Sequence, residues 1–296
     1  MADRDGLEKM VSGWSPGEVR TTDIIDPWRV AAFSALLDLP GTAAAEGEPL
    51  PPLWHWFSFL DCPRQSELGE DGHPAHGHFM PPVPDRRRMV AGGRLTVHRS
   101  PWVGAEVTRR SRLHDVRVKR GRSGEMVFVT VRHTLHRGDE LLVTEEHDVV
   151  YRSQPAGAPR AAAAAPGSDA APDEEPRPDW NLALTPDAAT LFRFSALTYN
   201  THRIHYDVPY VTQVEGYPGL VVHGPLLALL ALELPRRFAP SRPVETFTYR
   251  LQRPAFAGAE IAVRGWSDAG GREALLAVGE AGKAASVRAG VRFGRV

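Results

Sequence analysis

Apolar residues along the chain follow helical spacing first and strand spacing afterwards. Asp26 and Pro27 precede apolar residues at helical spacing that continue to Leu37, which predicts a helix capped by Asp26 with proline at its first position. The apolar segment from Leu53 to Leu60 is a candidate for a second helix. The pattern then changes after Gly92 and Gly93.

Three later segments of this first half are rich in β-branched residues and are separated by glycine-containing turns. This pattern is typical of an antiparallel meander. The predicted strands are Val103 to Lys119, Met126 to Arg137 and Leu141 to Arg152.

The second half repeats this order of helices and strands. Thr185 as a cap, followed by Pro186 and the acidic Asp187, predicts the start of a helix that ends near Thr198. Gly224 and Pro225 open a strongly apolar helix that is expected to stop at Pro235 and to pack on a sheet. Four strands are predicted after it: Val244 to Arg253, Ile261 to Trp266, Ala274 to Val278 and Ala285 to Phe293.

A segment of different composition separates the halves. Residues 154–179 contain alanine, proline, glycine and acidic residues but no large apolar residue, which predicts a flexible linker between modules 1–153 and 180–296. The halves share a similar sequence, Pro101 to Val107 in one and Pro254 to Ile261 in the other, and each copy leads into a meander. Duplication of one unit of helix plus antiparallel sheet explains this match.

Composition narrows the functional classes. The chain has 296 residues, 35 basic and 36 acidic, and its formal charge of −1 gives no overall field that would attract nucleic acid or an anionic membrane. Cys62 is the sole cysteine, which excludes an internal disulfide. The absence of a secretion signal and of a long apolar run predicts a cytoplasmic protein. The sequence leaves open whether copies assemble into a homo-oligomer.

Candidate chemistry lies between the two helices of the second half. In the polar stretch from Tyr199 to His205, Asn200 can hold a water molecule, whereas His205 can act as an acid or a base near neutral pH. Downstream, Gly224 supplies a backbone N–H at the start of the apolar helix, where it could stabilise an oxyanion on a thioester carbonyl.

These features resemble the MaoC-like hydratases, in particular their double-hotdog branch. The similarity includes the stretch from Tyr199 to His205, the approach to Gly224, and first-half segments such as Gly69 to Pro74. It implies an α+β fold of two antiparallel sheets, each wrapped around a central helix, that form an internal pseudo-dimer. The first module would shape the pocket without catalysing, and the second would be catalytic.

The resemblance also implies roles for individual residues. His205 takes the place of the family's catalytic histidine, and Asn200 stands where the family has an acid. Arg203 replaces the usual proline and could read a substrate carboxylate. The substrate-binding set is Gly224, His223, Arg203 and Tyr199. No cofactor is expected apart from the coenzyme A of an acyl-CoA substrate.

The expected activity is reversible hydration of an acyl thioester, with a short dicarboxylic enoyl-CoA such as mesaconyl-CoA or itaconyl-CoA as the leading substrate. The alternatives are a 3-hydroxyacyl-thioester dehydratase of fatty-acid or polyketide metabolism, an acyl-CoA thioesterase, and a non-catalytic acyl-thioester binding protein.

Other polar clusters have simpler interpretations. No carboxylate or cysteine completes a convincing ligand set with His55, His73, His76 and His78, so no metal site is predicted. The run from Arg86 to Arg88 is expected to be a solvated loop face, with coenzyme A phosphates as a second interpretation. Aromatic residues from Trp54 to Phe59 are expected in the core.

Overall fold

Ten antiparallel strands form one continuous sheet in the computed structural model, which describes residues 6–84, 86–121, 124–153 and 175–295. The strands are β1 (Val19–Ile24), β2 (Arg86–Val97), β3 (Glu106–Gly121), β4 (Gly124–Arg137), β5 (Glu140–Ser153), β6 (Trp180–Leu184), β7 (Val244–Leu251), β8 (Ile261–Ser267), β9 (Glu273–Glu280) and β10 (Val287–Phe293).

The strand order shows the duplication directly. One half reads β1-β3-β4-β5-β2, and the other continues as β7-β10-β9-β8-β6, which is the same order reversed. The halves meet where β2 pairs with β7, for example at Gly92 with Arg250 and at Leu95 with Phe247. This pairing satisfies the backbone groups that each five-stranded sheet would otherwise leave at an open edge. The predicted internal pseudo-dimer is therefore present.

Five α-helices accompany the described strands: α1 (Gly6–Val11), α2 (Pro27–Leu36), α3 (Ala188–Thr198), α4 (Val208–Gln213) and α5 (Gly224–Phe238). The predicted cap of α2 is confirmed, because Asp26 accepts from the Trp28 N–H. Helix α3 is capped by Asp187, which accepts from the Thr190 N–H, so the prediction of Thr185 as its cap is wrong by two residues. Helix α5 is buried from Leu226 to Pro235 and contacts all five strands of the second half, as expected of a central hotdog helix.

Helix α5 continues past Pro235, so the predicted stop there is wrong. Glu233 is buried one turn from the end, and Arg236 and Arg237 pair with its carboxylate at 2.5 and 3.2 Å. These ion pairs, together with the buried apolar surface, offset the hydrogen bond that proline cannot donate.

The candidate helix from Leu53 to Leu60 is one turn of 3-10 helix, Trp54–Phe57. Leu53 and Phe59 both have positive φ, 69° and 58°, so the backbone leaves helical geometry on either side of the turn. The turn follows a segment in which Leu50 donates to the Pro101 carbonyl, just as Val222 donates to Ala255 before α5. It therefore corresponds to the first turn of α5, and the first half has kept only that turn.

One hydrophobic core spans both halves. At its centre, the ring of Phe57 lies 4.6 Å from Phe33 on α2 and 6.1 Å from Phe194 on α3. Aromatic residues of the first half thus pack against the helix that leads into the candidate site. A smaller cluster around Val127, Val129 and Tyr151 lies within the first half.

A buried carboxylate anchors the 3-10 turn to the sheet. Glu145 on β5 accepts from Trp56 and faces His55 and His147, each at 2.7 Å. Burial alone would raise the pKa of Glu145, but the two histidines hold it well below its usual value. His55 and Trp56 are therefore structural residues.

The predicted linker falls mostly outside the described residues, which exclude 154–174. Its last part contacts the second half, where Glu175 forms ion pairs with Arg264 and Arg288 at 2.7 and 2.9 Å. The described helices include none that is long and apolar enough to cross a membrane.

Candidate active site

Two short segments of the second half form the candidate site, one after α3 and one before α5. Helix α3 ends at Tyr199 in a left-handed conformation, with φ 50°, and the Asn200 N–H returns to the Ser195 carbonyl at 2.9 Å. The chain then turns towards the α5 segment, where Val221 donates to the Ile204 carbonyl at 3.0 Å. Residues distant in the sequence thereby become neighbours.

His205 is held in one tautomer by this contact between segments. Its Nδ1 lies 2.7 Å from the Val221 carbonyl oxygen, which can only accept, so Nδ1 carries the proton. The lone pair is therefore on Nε2. Burial lowers the pKa of His205 to about 4, although the bond to Val221 opposes this shift. At neutral pH, His205 is a neutral base.

His223, the residue before α5, stacks on His205. The two rings are 3.6 Å apart and nearly parallel, and His223 Nε2 lies 2.9 Å from the Ser195 hydroxyl. Burial holds the pKa of His223 well below its usual value. Ser195, whose hydroxyl contacts this ring, was not predicted from the sequence to be a site residue. The stack fixes the orientation of both imidazoles.

Asn200 is connected to His205 through His202. The Asn200 side-chain oxygen accepts the His202 N–H at 3.0 Å, and His205 donates its own N–H to the His202 carbonyl at 3.2 Å. The Asn200 amide nitrogen makes no hydrogen bond within the described part of the chain. This arrangement leaves the amide nitrogen of Asn200 available to donate a hydrogen bond.

Gly224 begins α5 immediately after the stacked histidines. The first N–H groups of a helix have no intrahelical partner, and in the described residues no side chain caps this end of α5. A Cβ atom at Gly224 would lie 2.8 Å from Leu251 Cδ1, so a larger residue would require Leu251 to move. The helix start can therefore offer an N–H to a developing oxyanion.

A loop of the first half docks onto the site. Thr201 donates its hydroxyl to the Gly72 carbonyl at 2.6 Å, and the Arg203 N–H donates to the Asp71 carbonyl at 2.9 Å. Gly72 has φ +85°, and a Cβ atom there would lie 2.0 Å from the Thr201 oxygen. The contact therefore depends on glycine. The loop belongs to the Gly69 to Pro74 segment that contributed to the family resemblance.

This loop also brings two side chains, which sequence analysis did not assign to the site. The His73 ring lies 3.9 Å from that of His202, and His73 Nδ1 lies 3.2 Å from Asp71. Burial lowers the pKa of His73 and of His202, and His73 also contributes to the low pKa of His205. Four imidazoles thus form a row from His73 to His223.

Asp71, His73 and His202 are a set of potential metal ligands within the described residues, with ligand atoms within 4.8 Å of one another. This set differs from the histidines considered in the sequence. His55 pairs with Glu145, His78 lies 2.7 Å from the Gly17 carbonyl, and neither joins His73.

Arg203 makes three internal contacts. Its guanidinium pairs with Asp207 at 2.8 Å, donates to the Glu70 carbonyl at 3.0 Å and lies 4.0 Å from the centre of the Tyr210 ring. The contact with Glu70 joins the two halves, whereas Asp207 and Tyr210 belong to the same half as Arg203. They give Arg203 a structural role, and its predicted reading of a substrate carboxylate has no support in this geometry.

Two other predicted elements differ in position. The Tyr199 side chain is exposed, so among the described contacts only its backbone takes part in shaping the site. The run from Arg86 to Arg88 begins strand β2 and is not a loop. Arg87 pairs with the buried Glu215 at 3.2 Å, which gives this arginine a structural partner.

The fold and the site define a MaoC-like hotdog enzyme. The family model for hydroxyacyl-thioester dehydratase type 2 matches residues 53–257, which include parts of both halves. The chain therefore belongs to the hydroxyacyl-thioester dehydratase type 2 family. It is a hydro-lyase that adds water to, or removes it from, an acyl thioester.

Curated relatives agree with this assignment. The chain is 45% identical to mesaconyl-C(4)-CoA hydratase of Chloroflexus aurantiacus over 76% of its own length and 78% of that protein. It is 42% identical to the mitochondrial hydroxyacyl-thioester dehydratase type 2 of Schizosaccharomyces pombe over 27% of each protein.

Solved structures support the fold. A MaoC-like dehydratase from Phytophthora capsici aligns with a TM-score of 0.70 at 14% identity, over 98% of this chain and 99% of that one. HtdX of Mycobacterium tuberculosis aligns with a TM-score of 0.60 at 17% identity, over 94% and 100%.

Proposed function

We propose that this protein hydrates a short enoyl-CoA that carries a free carboxylate, with mesaconyl-C4-CoA as the leading substrate. The observation that carries the reaction is the neutral His205, which Val221 holds beside the start of α5. The substrate class is supported by 45% identity to a mesaconyl-C(4)-CoA hydratase over most of both chains. In this substrate the free carboxylate is attached to Cβ, the carbon that water attacks.

His205 acts first as a general base. The thioester carbonyl accepts a hydrogen bond from the Gly224 N–H, while the Asn200 amide holds water near His205 Nε2. Nε2 removes a proton from the water as its oxygen bonds to Cβ, and the double-bond electrons move towards the thioester oxygen. The protonated ring then returns this proton to Cα. Dehydration follows the same steps in reverse.

The low pKa of His205 suits both proton transfers of this reaction. A ring with a pKa of about 4 is neutral and ready to accept at physiological pH. Once protonated in its buried position it is a strong acid, which favours return of the proton to Cα. One titrating residue can therefore act twice, which compensates for the missing acid at Asn200.

Dehydration of a 3-hydroxyacyl thioester is the second candidate function. The family match and the 42% identical segment of the S. pombe enzyme favour it. The two candidates share their catalytic residues and differ in the acyl group.

A panel of thioesters tests the proposal. Purified protein is given mesaconyl-C4-, itaconyl-, crotonyl- and longer enoyl-CoAs, and hydrated product and free coenzyme A are measured separately. The proposal expects hydration of mesaconyl-C4-CoA at the highest kcat/KM and loss of about 100-fold to 10,000-fold in His205→Ala. Release of free coenzyme A as the main product, or unchanged turnover in His205→Ala, contradicts it.

The remaining expectations follow from this function. We propose that the enzyme needs no cofactor beyond the coenzyme A of its substrate and acts in the cytoplasm. Metal analysis and activity in the presence of a chelator test the first of these. Whether copies form a homo-oligomer stays a prediction for analytical ultracentrifugation.

A further inference from the structure

Arg253 is the described arginine with the most buried guanidinium nitrogens that lack a hydrogen-bond partner, two, whereas Arg109, Arg110 and Arg264 have one each. Two of its guanidinium nitrogens, Nε and the first terminal nitrogen, are fully buried and make no hydrogen bond in the described part of the chain. Leaving a buried charged donor unpaired is costly, and native proteins avoid it unless something else supplies the acceptor. By contrast, the guanidinium of Arg203 pairs with Asp207, donates to the Glu70 carbonyl and lies over the Tyr210 ring.

Backbone pairing locates Arg253 beside the candidate site. Val222 donates to the Ala255 carbonyl at 2.8 Å, and Ala257 donates to the Leu220 carbonyl at 2.9 Å, so these segments run antiparallel. Arg253 is two residues before Ala255, and Gly224 is two residues after Val222. Arg253 and Gly224 are thus each two residues beyond the hydrogen bond between Val222 and Ala255, at the same end of the paired segments.

A side-chain contact supports this placement. Leu251, the last residue of β7, reaches to within 2.8 Å of a Cβ position at Gly224. The end of β7 therefore lies against the first residue of α5. Arg253 lies at a bend two residues after β7, just before the segment that pairs with Leu220 and Val222, and is therefore close to the region where the thioester carbonyl is expected.

We propose that Arg253 binds the free carboxylate of the acyl group and makes the site specific for dicarboxylic thioesters. This inference rests on the proposed function, since it places the thioester carbonyl at Gly224. A guanidinium and a carboxylate form paired, charge-assisted hydrogen bonds, which would satisfy the buried nitrogens. Coenzyme A phosphates offer the same anionic oxygens, but the pantetheine arm separates them from the thioester, whereas the acyl carboxylate is two carbons from it.

Binding of two saturated analogues tests the inference without turnover. Succinyl-CoA and butyryl-CoA differ at Cβ, which bears a carboxylate in one and a methyl group in the other. Calorimetry on the full chain should show that Arg253→Met weakens succinyl-CoA binding about tenfold to a hundredfold and leaves butyryl-CoA binding nearly unchanged. Arg250→Met, a substitution at an exposed arginine of β7 three residues earlier, should leave both affinities at the wild-type level.

Equal weakening of both analogues in Arg253→Met would assign Arg253 to the coenzyme A phosphates and overturn the carboxylate site. Unchanged binding of both would overturn any anion site. Thermal unfolding without ligand separates these results from a structural role. Removal of an unpaired buried charge should maintain or raise the Tm, whereas a fall of several degrees with equal loss of both ligands contradicts the inference.

Turnover provides a separate readout. In Arg253→Met, kcat/KM for mesaconyl-C4-CoA should fall relative to that for crotonyl-CoA. Arg253→Lys should restore part of this ratio of kcat/KM values, because lysine keeps the positive charge but cannot form the paired hydrogen bonds of a guanidinium. If wild-type protein hydrates crotonyl-CoA but discriminates against mesaconyl-C4-CoA, the proposed substrate is wrong. If it prefers mesaconyl-C4-CoA and Arg253→Met keeps that preference, only the role of Arg253 is wrong.

Discussion

At the scale of single residues, the site depends on imidazoles that stay neutral. His205 and His223 stack, and His202 lies edge-on to His205 at 5.5 Å. Burial lowers the pKa of each ring, so these residues have little tendency to gain a proton near neutral pH. A neutral row is needed for catalysis by a base, but it makes the protein sensitive to acid.

His205 should make the folded protein less stable as pH falls. Its pKa is about 4 in the folded protein and about 6.5 in an unfolded chain, so between these values the unfolded state binds a proton that the folded state does not. Stability is therefore present above pH 6.5 and is lost as pH falls towards 4. His205→Gln should reduce the loss between pH 7 and pH 5 by roughly 2 kcal/mol.

Denaturant unfolding measured at several pH values checks this prediction. His76→Gln is the matched control, because His76 is exposed, and it should keep the wild-type pH dependence. A His205→Gln protein that loses stability on acidification as steeply as the wild type would show that His205 is not held neutral.

Asn200 should matter through the acceptor that it offers to His202. Asn200→Asp keeps an oxygen for the His202 N–H and can also hold water, so it should retain most of the activity. Asn200→Ala loses both functions, and kcat should fall about tenfold to a hundredfold because the loop is less well positioned. Steady-state kinetics on the preferred enoyl-CoA measure the difference, and equal activity in the two variants would contradict it.

Local signals made some of these residues predictable. The polar stretch from Tyr199 to His205 between two apolar helices, with Gly224 downstream, pointed to Asn200 and His205 as site residues. The role of Arg203 was not predictable, because its partners Glu70 and Tyr210 come from separate segments. The same holds for His73, whose place beside His202 depends on contact between the halves.

At the scale of elements, prediction succeeded where the sequence encodes local geometry. The cap at Asp26 gave the correct start of α2, since a cap acts within one turn. The start of α3 was predicted two residues early, because both Thr185 and Asp187 are capping residue types and Asp187 is the one that accepts from the Thr190 N–H. Strands β1 and β6 were not predicted because each has only five or six residues and pairs with a distant strand. The end of α5 was wrong because the buried apolar face of the helix, together with ion pairs of Glu233 to Arg236 and Arg237 one turn further along, outweighed the effect of Pro235.

The loop that carries Gly72 should couple the halves. Gly72→Ala forces a Cβ to within 2.0 Å of the Thr201 oxygen, so the loop must move away from residues 201–203. The variant should lose stability by more than the 1–3 kcal/mol typical of backbone strain alone, and its kcat should fall.

Gly13→Ala is a matched control for this prediction. Gly13 has a similar φ of +79° and no atom within 4 Å of a new Cβ, so its variant should lose stability through backbone strain alone and should keep its activity. Thermal unfolding and kinetics on both variants compare the two effects. Equal changes in Gly72→Ala and Gly13→Ala would show that the contact with Thr201 has no functional role.

At the scale of the whole molecule, two modules behave as one body. The sheet is continuous through β2 and β7, and the core includes Phe33, Phe57 and Phe194 from both halves. The duplication predicted this arrangement, since repeated units of one fold pair through equivalent edges. The reduction of one central helix to a single turn was not predictable, because Leu53 to Leu60 is as apolar as a short helix requires.

Cutting the linker should therefore leave the enzyme intact. A protease site inserted between Ala163 and Ala164 lies outside the described residues, in a segment whose composition predicts a flexible connection. After cleavage, the β2–β7 pairing and the shared core should keep the fragments together, because separation would expose both an open sheet edge and apolar surface. Size-exclusion chromatography should show one species with the mass and the enoyl-CoA hydration rate of uncut protein. Fragments that separate and lose activity under native conditions would instead show that the covalent link is needed to hold the loop of Gly72 against the site.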